Sequence, residues 1–391
     1  MDIITTTEAL SALVADLWGD AYVAVDTEFM RESTYWPILC LIQVAGSKRA
    51  AIIDPLAEGL DLAPFWGLMA NEAVRKVFHA ARQDIEIFLN RAGRIPHPVF
   101  DTQVAAMVCG LGDQIGYEAI VRKLVKVQID KSSRFTDWSR RPLSDKQLDY
   151  ALSDVTHLRV VYEWLLKDLA ASGREPWLTQ EMETLTSPRT YNTEPLDSWK
   201  RIKIRLRAKK QLGVLVQVAA WREREAQEKD VPRGRVIKDD AVSEIAVQMP
   251  QTREALNGLR ALPKGFGNSR YGDGLLAAVK SGLAMDAKAL PQTSFEDEEL
   301  SDADQSAAEI LKLALKIVCE REGIAAKLVA NTSDIEAVAQ NDAADVPLMQ
   351  GWRRNLFGDI ALELKRGDAL IGFRNGRAAI IRDEALASAA E

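Results

Sequence analysis

Short apolar runs near the N-terminus constrain the fold of this chain more than any other feature of its sequence. Residues 22–26, 39–44 and 50–54 are rich in Val, Ile, Leu and Ala and are too short for a helix of ordinary length. Runs of this kind are typical of buried strands. Gly46 and Ser47 separate the last two runs, as in a hairpin. We therefore predict that the chain begins with a β-meander.

Strands and helices alternate after this meander. Helices are predicted at 62–71, 82–92 and 102–107, with short strands at 76–79 and 99–101 between them. This order is typical of a mixed sheet with helices on its faces, so the predicted fold class of this part is α/β.

A long helix is predicted at the end of the α/β part. Ser144 is a favourable N-cap, and Gln147 stands three residues later, as in a capping box. Apolar residues then recur at helical spacing to residue 169.

The 391 residues are too many for one ordinary domain. Residues 184–198 are rich in Thr, Ser, Pro and Asn and are typical of a linker, and the acidic stretch 296–304 is typical of a solvated one. Residues 213–282 and 306–367 both have helical patterns. We therefore predict an α/β domain followed by two small all-α domains.

The two helical segments resemble each other, which indicates a diverged duplication. The parallel pairs are 221–225 with 318–322, 241–246 with 334–339, and 271–273 with 357–359. The predicted divisions are 1–183 for the α/β domain, 184–208 for a basic linker, 209–285 for the first helical domain, 286–304 for an acidic linker, 305–382 for the second helical domain, and 383–391 for a tail.

The overall composition makes several classes of protein improbable. The run 38–44 is far shorter than the about 20 apolar residues of a membrane helix, and the N-terminus has no secretory pattern, so we expect a cytoplasmic protein without a membrane partner. Cys40, Cys109 and Cys319 are scattered, which predicts buried free thiols without a disulfide partner. The net charge of −7 disfavours nucleic acid, but phosphate binding depends on local basic patches.

Acidic residues stand in three separated blocks. Asp26 and Glu28 end an apolar strand and point to the same face, Asp84 begins a predicted helix, and Tyr150 and Asp154 share one face of another helix. Each block alone is common at a solvated strand end or a helix start. Together they supply four carboxylates without an evident cationic partner. Two hard divalent cations, Mg²⁺ or Mn²⁺, would relieve the repulsion in such a cluster.

The three blocks resemble the 3′→5′ exonuclease superfamily with four acidic residues, in its tyrosine-bearing branch. Residues 101–106, 110–117 and 131–143 narrow the resemblance to the ribonuclease D family, and the duplicated unit resembles the HRDC domain of that family and certain helicases. The resemblance implies a ribonuclease H-like, mixed-sheet exonuclease domain followed by two small helical bundles.

The resemblance also implies an activity, namely a 3′→5′ exoribonuclease that releases nucleoside 5′-monophosphates. It implies that Asp26, Glu28, Asp84 and Asp154 hold two metal ions and that Tyr150 positions the attacking water. The implied partner is RNA with a free single-stranded 3′ end, and precursors of transfer RNA are the implied substrates.

Other residues are expected to contact the RNA because they flank the acidic blocks or lie in basic segments. They are Thr27, Phe29, His79, Arg140, Arg141, Lys200, Arg201, Lys203 and Arg205. The alternatives are that Phe29 lies in the core, that His79 is satisfied structurally, that Trp138 packs under its loop, and that the basic run is a solvated face. Asp101 is either a supporting group of the site or the cap of the next helix.

Basic residues of the helical domains are expected to position structured RNA. They are Arg222, Arg224, Arg233, Arg235 and Lys264 in the first domain, and Arg353, Arg354, Lys365 and Arg366 in the second. Two rival functions stay open, a DNA 3′→5′ exonuclease and a catalytically inactive scaffold that binds nucleic acid.

Overall fold

A six-stranded mixed sheet lies at the centre of the N-terminal domain in this computed structural model, which describes residues 2–130, 132–191, 194–286, 288, 290–291 and 300–382. The strands are β1 (Ile3–Ile4), β2 (Tyr22–Met30), β3 (Ile38–Ala45), β4 (Ala50–Ile53), β5 (Arg75–Phe78) and β6 (Val99–Asp101). Their order is β1-β4-β3-β2-β5-β6. The meander β2–β3–β4 is antiparallel, while β5 and β6 continue parallel to β2, which confirms the α/β prediction.

Seven helices of the described residues belong to this domain. They are α1 (Thr7–Leu17), α2 (Ala63–Ala70), α3 (Arg82–Ala92), α4 (Thr102–Val108), α5 (Tyr117–Leu124), α6 (Asp145–Ser172) and α7 (Glu175–Leu185). Helix α6 contacts β2, β3, β4 and β5, and it begins at a complete capping box of Ser144 and Gln147. Helices α1, α5 and α7 were not predicted from the sequence.

The segment predicted as a linker after α7 is partly buried. Two 3₁₀ turns, Pro188–Tyr191 and Pro195–Arg201, lie in it. Tyr191 is 9% exposed and donates a hydrogen bond from its hydroxyl to the carbonyl of Leu185 at 2.7 Å, and Ser198 is also buried. The connection between the domains is therefore packed against neighbouring elements at Tyr191 and Ser198.

Both C-terminal domains are built mainly from helices. The first contains α8 (Lys209–Glu228), α9 (Arg233–Val236), α10 (Asp239–Gln248), α11 (Arg253–Asn257) and α12 (Gly272–Leu283). The second contains α13 (Asp302–Glu322), α14 (Ala326–Val329), α15 (Thr332–Gln340), α16 (Gly351–Arg353), a π turn at Arg354–Gly358 and α17 (Asp359–Arg366). Most of the predicted acidic linker 286–304 and the predicted tail 383–391 lie outside the described residues.

The duplicated segments occupy equivalent elements of the two helical domains. The first pair lies at the ends of α8 and α13, the second in α10 and α15, and the third at the starts of α12 and α17. The second domain ends differently, in an unpredicted antiparallel hairpin of β7 (Leu370–Arg374) and β8 (Arg377–Ile381). Its turn is Asn375-Gly376, and both residues have positive φ, as a two-residue hairpin turn requires.

The second helical domain docks on α4 and α7 of the N-terminal domain. The backbone amide of Ala325 donates to the carbonyl of Met107 at 3.0 Å. Gly110 approaches Gly323 so closely that a Cβ at position 110 would lie 2.1 Å from its carbonyl oxygen. Trp177 and Trp352 stack with ring centroids 4.7 Å apart. The two domains consequently share one hydrophobic core.

The first helical domain docks on the connection between β2 and β3. Tyr35, in that connection, is 3% exposed, packs in the core of the first helical domain and donates from its hydroxyl to Glu223. Arg233 donates to the same carboxylate at 2.6 Å. Burial acts to raise the pKa of Glu223, but the hydrogen bonds from Arg233 and Tyr35 hold it below its ordinary value. Glu223 is thus the ionised centre of this interface.

No helix among the described residues is long and apolar enough to cross a lipid bilayer. The cysteines carry free thiols, of which Cys40 and Cys319 are buried and Cys109 is half-buried. Burial raises the pKa of the Cys40 thiol to about 11.

We predict that Glu223→Ala weakens the docking of the first helical domain. The Glu223 side chain is 1% exposed, and its loss leaves Arg233 and the Tyr35 hydroxyl without their acceptor. Removing one partner of a fully buried ion pair costs about 3–5 kcal/mol. Because Arg233 is 31% exposed, we expect the free energy of unfolding to fall by about 2–3 kcal/mol, measured by urea denaturation.

The matched control is Asp273→Ala. It also removes a carboxylate from an arginine pair in the same domain, but the side chains of Arg253 and Asp273 are 49% and 77% exposed. Exposed pairs contribute about 1 kcal/mol or less. Equal losses in the two variants would contradict the role of Glu223.

Candidate active site

Strand β2 carries two acidic side chains out of the core. Val23, Ala24 and Val25 are fully buried, and Asp26 and Glu28 follow on alternate positions that face the same way. The pairing with β3 shifts by one residue directly after Glu28. Such irregularities bend a strand and change the direction in which its side chains point. Both carboxylates therefore lie at one edge of the sheet.

Asp84 reaches the same place from the first turn of α3. It is 6% exposed and accepts a hydrogen bond of 2.5 Å from the hydroxyl of Thr27, the residue between the two acids of β2. The turn before α3 is held by Asp101, whose carboxylate accepts from the backbone amides of Ala80 at 3.0 Å and Ala81 at 2.8 Å.

Asp101 has both of the roles that the sequence left open. It caps α4 by accepting from the amide of Gln103 at 2.7 Å, and it also fixes the turn that precedes Asp84. Ala80 in this turn has a φ of 61°, which is costly for a residue with a side chain. The hydrogen bonds from Asp101 stabilise that conformation.

Helix α6 supplies the last two residues. Tyr150 and Asp154 lie one turn apart on the helix face that borders the sheet, where Asp154 is 6% exposed and Tyr150 is half-buried. The Tyr150 ring lies 6.2 Å from the ring of Trp138, which is itself 2% exposed. Trp138 therefore packs under its loop, and it supports the position of Tyr150.

The three elements bring the acidic residues together. Carboxylate oxygens of Asp26, Glu28 and Asp154 all lie within 4.8 Å of one another. Asp84 lies outside this closest group but lines the same cleft, which has a volume of about 620 Å³ and also contains Tyr150. The five residues predicted as the catalytic set thus surround one cleft.

Burial and mutual repulsion make the ionised form of these acids unfavourable. Burial, then the charges of Asp154 and Asp84, raise the pKa of Glu28 to about 9. Burial likewise raises the pKa of Asp154 to about 8 and that of Asp84 to about 7. The pKa of Asp26 lies well above its ordinary value for the same reasons, with Asp154 as its strongest charged neighbour. An acidic cluster of this kind requires positive charge in order to be ionised at neutral pH.

The residues of the cluster fit a divalent cation. The ligand atoms are all carboxylate oxygens, which suit hard cations such as Mg²⁺ and Mn²⁺. Among the described residues that line the cleft, Arg134 carries the only guanidinium or ammonium group, and it lowers the pKa of Glu28 and Asp154 only against the larger effect of burial. The carboxylates are therefore open to a metal ligand.

The predicted neighbours of the acids line the cleft as well, but two of them are already engaged. Thr27 binds Asp84, as described above. His79 has both ring nitrogens in hydrogen bonds, Nδ1 with the hydroxyl of Thr102 at 2.9 Å and Nε2 with the carbonyl of Ile115 at 3.0 Å. Burial lowers the pKa of His79. Phe29 is half-buried at the wall of the cleft.

Arg141, which was expected to contact RNA, has its guanidinium engaged within the fold. Its guanidinium donates to both carboxylate oxygens of Asp54, at 2.6 and 2.7 Å, and to the carbonyls of Cys40, Trp138 and Arg140 at 2.8 Å. All five N–H groups are used, so Arg141 holds the loop on the sheet. Arg140 points outward, with its side chain 85% exposed, and lies 3.9 Å from Asp137.

The basic run after the first domain is mostly exposed. Lys200 pairs with Asp197 at 2.6 Å, and Arg201 lies 3.5 Å from Glu223. Lys203 and Arg205 are exposed. Lys131 lies outside the described residues.

Several basic residues of the helical domains stabilise the fold instead of facing a ligand. Arg222 is 3% exposed and pairs with Asp239 at 2.6 Å, and Arg353 pairs with Glu181 of α7 at 2.6 Å. These two guanidinium groups therefore face carboxylates of the fold. The other paired residues are Arg233 with Glu223, Arg354 with Asp359, Lys365 with Asp342, and Arg366 with Asp368. Arg224, Arg235 and Lys264 are exposed.

Other residues of the cleft were not predicted from the sequence. Gln83 and Gln103 line it, as does Tyr117, whose hydroxyl donates to the carbonyl of Ser153 at 3.0 Å and whose ring packs against His79. Their positions could have identified them. Gln83 directly precedes Asp84, Gln103 lies in the first turn of α4, and Tyr117 begins α5.

Comparison with known proteins gives consistent results. The family model for a 3′-5′ exonuclease matches residues 1–170, and the model for the HRDC domain matches residues 211–279. The chain is 52% identical to the ribonuclease D of Nitrobacter hamburgensis, over 96% of this chain and 98% of that protein. It is 47% identical to the ribonuclease D of Granulibacter bethesdensis, over 95% of this chain and 94% of that protein.

A solved structure matches the overall architecture. The structure of Escherichia coli RNase D, described as an exoribonuclease involved in structured RNA processing, superposes with a TM-score of 0.82 at 30% sequence identity. The match covers 94% of this chain and 98% of that one.

We predict that the metal-free protein loses stability as the pH rises from about 5 to about 9. Asp84, Asp154 and Glu28 have folded-state pKa values of about 7, 8 and 9, above those of unfolded carboxyl groups. Their contribution is therefore full below about pH 4 and is lost as the pH rises through the folded-state values. The melting temperature in EDTA should fall by several degrees over this range, and millimolar Mn²⁺ should restore it.

Variants separate this effect from general charge effects. Asp26→Asn removes one charge from the cluster and should reduce both the pH-dependent loss and the shift caused by Mn²⁺. Glu58→Gln removes an exposed carboxylate outside the cleft and should change neither. A Mn²⁺ shift that is the same in Asp26→Asn as in the wild type would contradict a cation site at this cluster.

Proposed function

The chain belongs to the ribonuclease D family of 3′→5′ exoribonucleases, and from this premise we propose that it trims the 3′ ends of structured RNA, with precursors of transfer RNA as its substrates. We propose residues 1–183 as the catalytic domain, with 209–285 and 305–382 as helical domains that position the RNA. The observation that carries the proposal is the convergence of Asp26, Glu28 and Asp154 in one open cleft.

In this proposal Asp26, Glu28, Asp84 and Asp154 hold two divalent cations, Mg²⁺ or Mn²⁺. When bound, such cations lower the pKa of a water molecule and stabilise charge on the leaving oxygen. The water oxygen would form a bond to the terminal phosphorus and release one proton to solvent, the bond to the 3′ oxygen of the preceding nucleotide would break, and that oxygen would take up a proton from solvent. The product is a nucleoside 5′-monophosphate.

Tyr150 positions the attacking water and does not remove its proton. Burial, together with the charges of Asp154 and Glu28, raises the pKa of the Tyr150 hydroxyl. The phenol consequently stays neutral at physiological pH and acts through its hydrogen bonds. The packing of Trp138 against the Tyr150 ring supports this positioning role.

We predict that Asp154→Asn and Asp26→Asn each lower kcat/KM for single-stranded RNA by about 1000-fold or more, because each removes a charged ligand from the cluster. Tyr150→Phe should lower kcat by about 100-fold or less, since it removes an orienting group alone. RNA affinity, measured by filter binding, should change little in all three variants.

The measurement also decides between the exonuclease and an inactive scaffold. RNA hydrolysis by the purified wild type that disappears in EDTA and in Asp154→Asn supports the exonuclease. Hydrolysis that persists unchanged in both carboxylate variants would refute the assignment of the cleft.

A second experiment tests the substrate. With Mg²⁺ or Mn²⁺, the protein should shorten a 3′-extended transfer RNA one nucleotide at a time, and sequencing of the products should locate the end point. A linear RNA should be degraded faster than the matched DNA, and a circular RNA should stay intact because it has no 3′ end. Faster degradation of the DNA would favour the rival DNA exonuclease.

A further inference from the structure

A four-residue turn at the rim of the cleft presents two side chains that the mechanism does not use. The amide of Thr136 donates to the carbonyl of Ser133 at 3.3 Å, which closes a turn with Arg134 and Phe135 at its central positions. The Thr136 hydroxyl donates to the same carbonyl at 2.8 Å and accepts from the side-chain amide of Gln147 at 3.0 Å. The turn is thus attached to the start of α6, the helix that carries Tyr150 and Asp154.

Phe135 is unusually exposed for an aromatic residue at a functional cleft. It is 90% exposed, whereas Trp138 in the same segment is 2% exposed. The segment therefore buries one aromatic ring and displays the other. The guanidinium carbon of Arg134 lies 5.1 Å from the centre of the Phe135 ring, a cation–π geometry that restrains the ring beside the cleft.

Arg134 is exposed at the rim of the cleft. None of the ion pairs formed within the described part of the chain includes Arg134, although its charge acts on Glu28, Asp154 and Tyr150. Its guanidinium can therefore form the bidentate hydrogen bonds that phosphate oxygens accept. Arg134 lies at the rim of the cleft that contains the four acids. This location favours the binding of a phosphate that approaches the acidic cluster together with cations.

We propose that Arg134 and Phe135 form a clamp for the 3′ end of the RNA, in which Phe135 stacks on a nucleobase that flanks the scissile phosphate and Arg134 binds a phosphate oxygen. The proposal rests on the proposed exonuclease function of the same cleft. An exposed ring beside a cationic group is a general means of holding single-stranded nucleic acid, and stacking tolerates every base. The clamp thus serves an enzyme that must accept each nucleotide in turn.

The test of stacking compares normal RNA with RNA that is abasic at its last or its penultimate nucleotide. In the wild type, loss of one of these bases should reduce kcat/KM by about 10-fold, the scale of one base–aromatic stack. Phe135→Ala should reduce kcat/KM for normal RNA by about the same factor and should no longer distinguish normal from abasic RNA. Phe135→Trp should retain the discrimination.

Trp18→Ala is the matched control for Phe135. Trp18 is 49% exposed but lies at the end of α1, outside the cleft. Its replacement should leave both kcat/KM and the discrimination unchanged.

The test of the phosphate contact compares two affinities, for RNA and for Mn²⁺, that should change in opposite directions. Arg134→Gln should weaken RNA binding by about 10-fold while strengthening Mn²⁺ binding by about two- to threefold, because it removes a positive charge near the cation site. General damage to the cleft would weaken both. Lys48→Gln, which replaces an exposed residue of the turn between β3 and β4 outside the cleft, is the control and should alter neither.

The outcomes separate this proposal from the exonuclease function. If the wild type degrades RNA while Phe135→Ala keeps the full discrimination against abasic ends, the stacking role is wrong. If Arg134→Gln leaves RNA affinity unchanged, the phosphate contact is wrong. A wild type that does not degrade any RNA would instead refute the proposed function itself.

Discussion

Repulsion between buried carboxylates is the constraint on which the rest of this structure depends. Asp26, Glu28 and Asp154 lie within 4.8 Å of one another, and Asp84 is close enough to raise the pKa of both acids on β2. A cluster like this does not form spontaneously, because each acid is more easily ionised in water. Rigid elements must hold it, and here they are a central strand and two helices whose apolar faces are buried in the core.

The same elements connect the cluster to the distant domains. The β2–β3 connection begins three residues after Glu28, and in it Arg31 pairs with Glu86 of α3 while Tyr35 binds Glu223 of the first helical domain. On the other side, Asp101 fixes the turn before Asp84 and caps α4, on which the second helical domain docks. Both helical domains therefore contact segments that also position the acids.

The sequence predicts this fold well where local pattern and burial agree. The apolar run before Asp26 predicts a strand, and the capping box at Ser144 predicts the start of the helix on which Tyr150 and Asp154, four residues apart, share one face. The roles of arginines such as Arg141 are not predictable in this way. Its partner Asp54 stands 87 residues earlier, and only the folded sheet brings the two together. The Asn375-Gly376 turn is a local signal for a hairpin, although the hairpin was not predicted.

Charge pairing explains why the roles of the basic residues were the hardest to predict from the sequence. The chain has 57 acidic and 50 basic residues, so a basic side chain on the folded surface is surrounded by potential partners. Arg222 and Arg353 are mostly buried, and each pairs with a carboxylate of the fold. Affinity for a polyanion must therefore come from basic groups that are exposed to solvent. The contribution of these groups to binding depends on their position more than on their number. A single guanidinium at the rim of the acidic cleft, such as that of Arg134, lies where the terminal phosphate must pass, whereas a paired arginine elsewhere contributes little to binding.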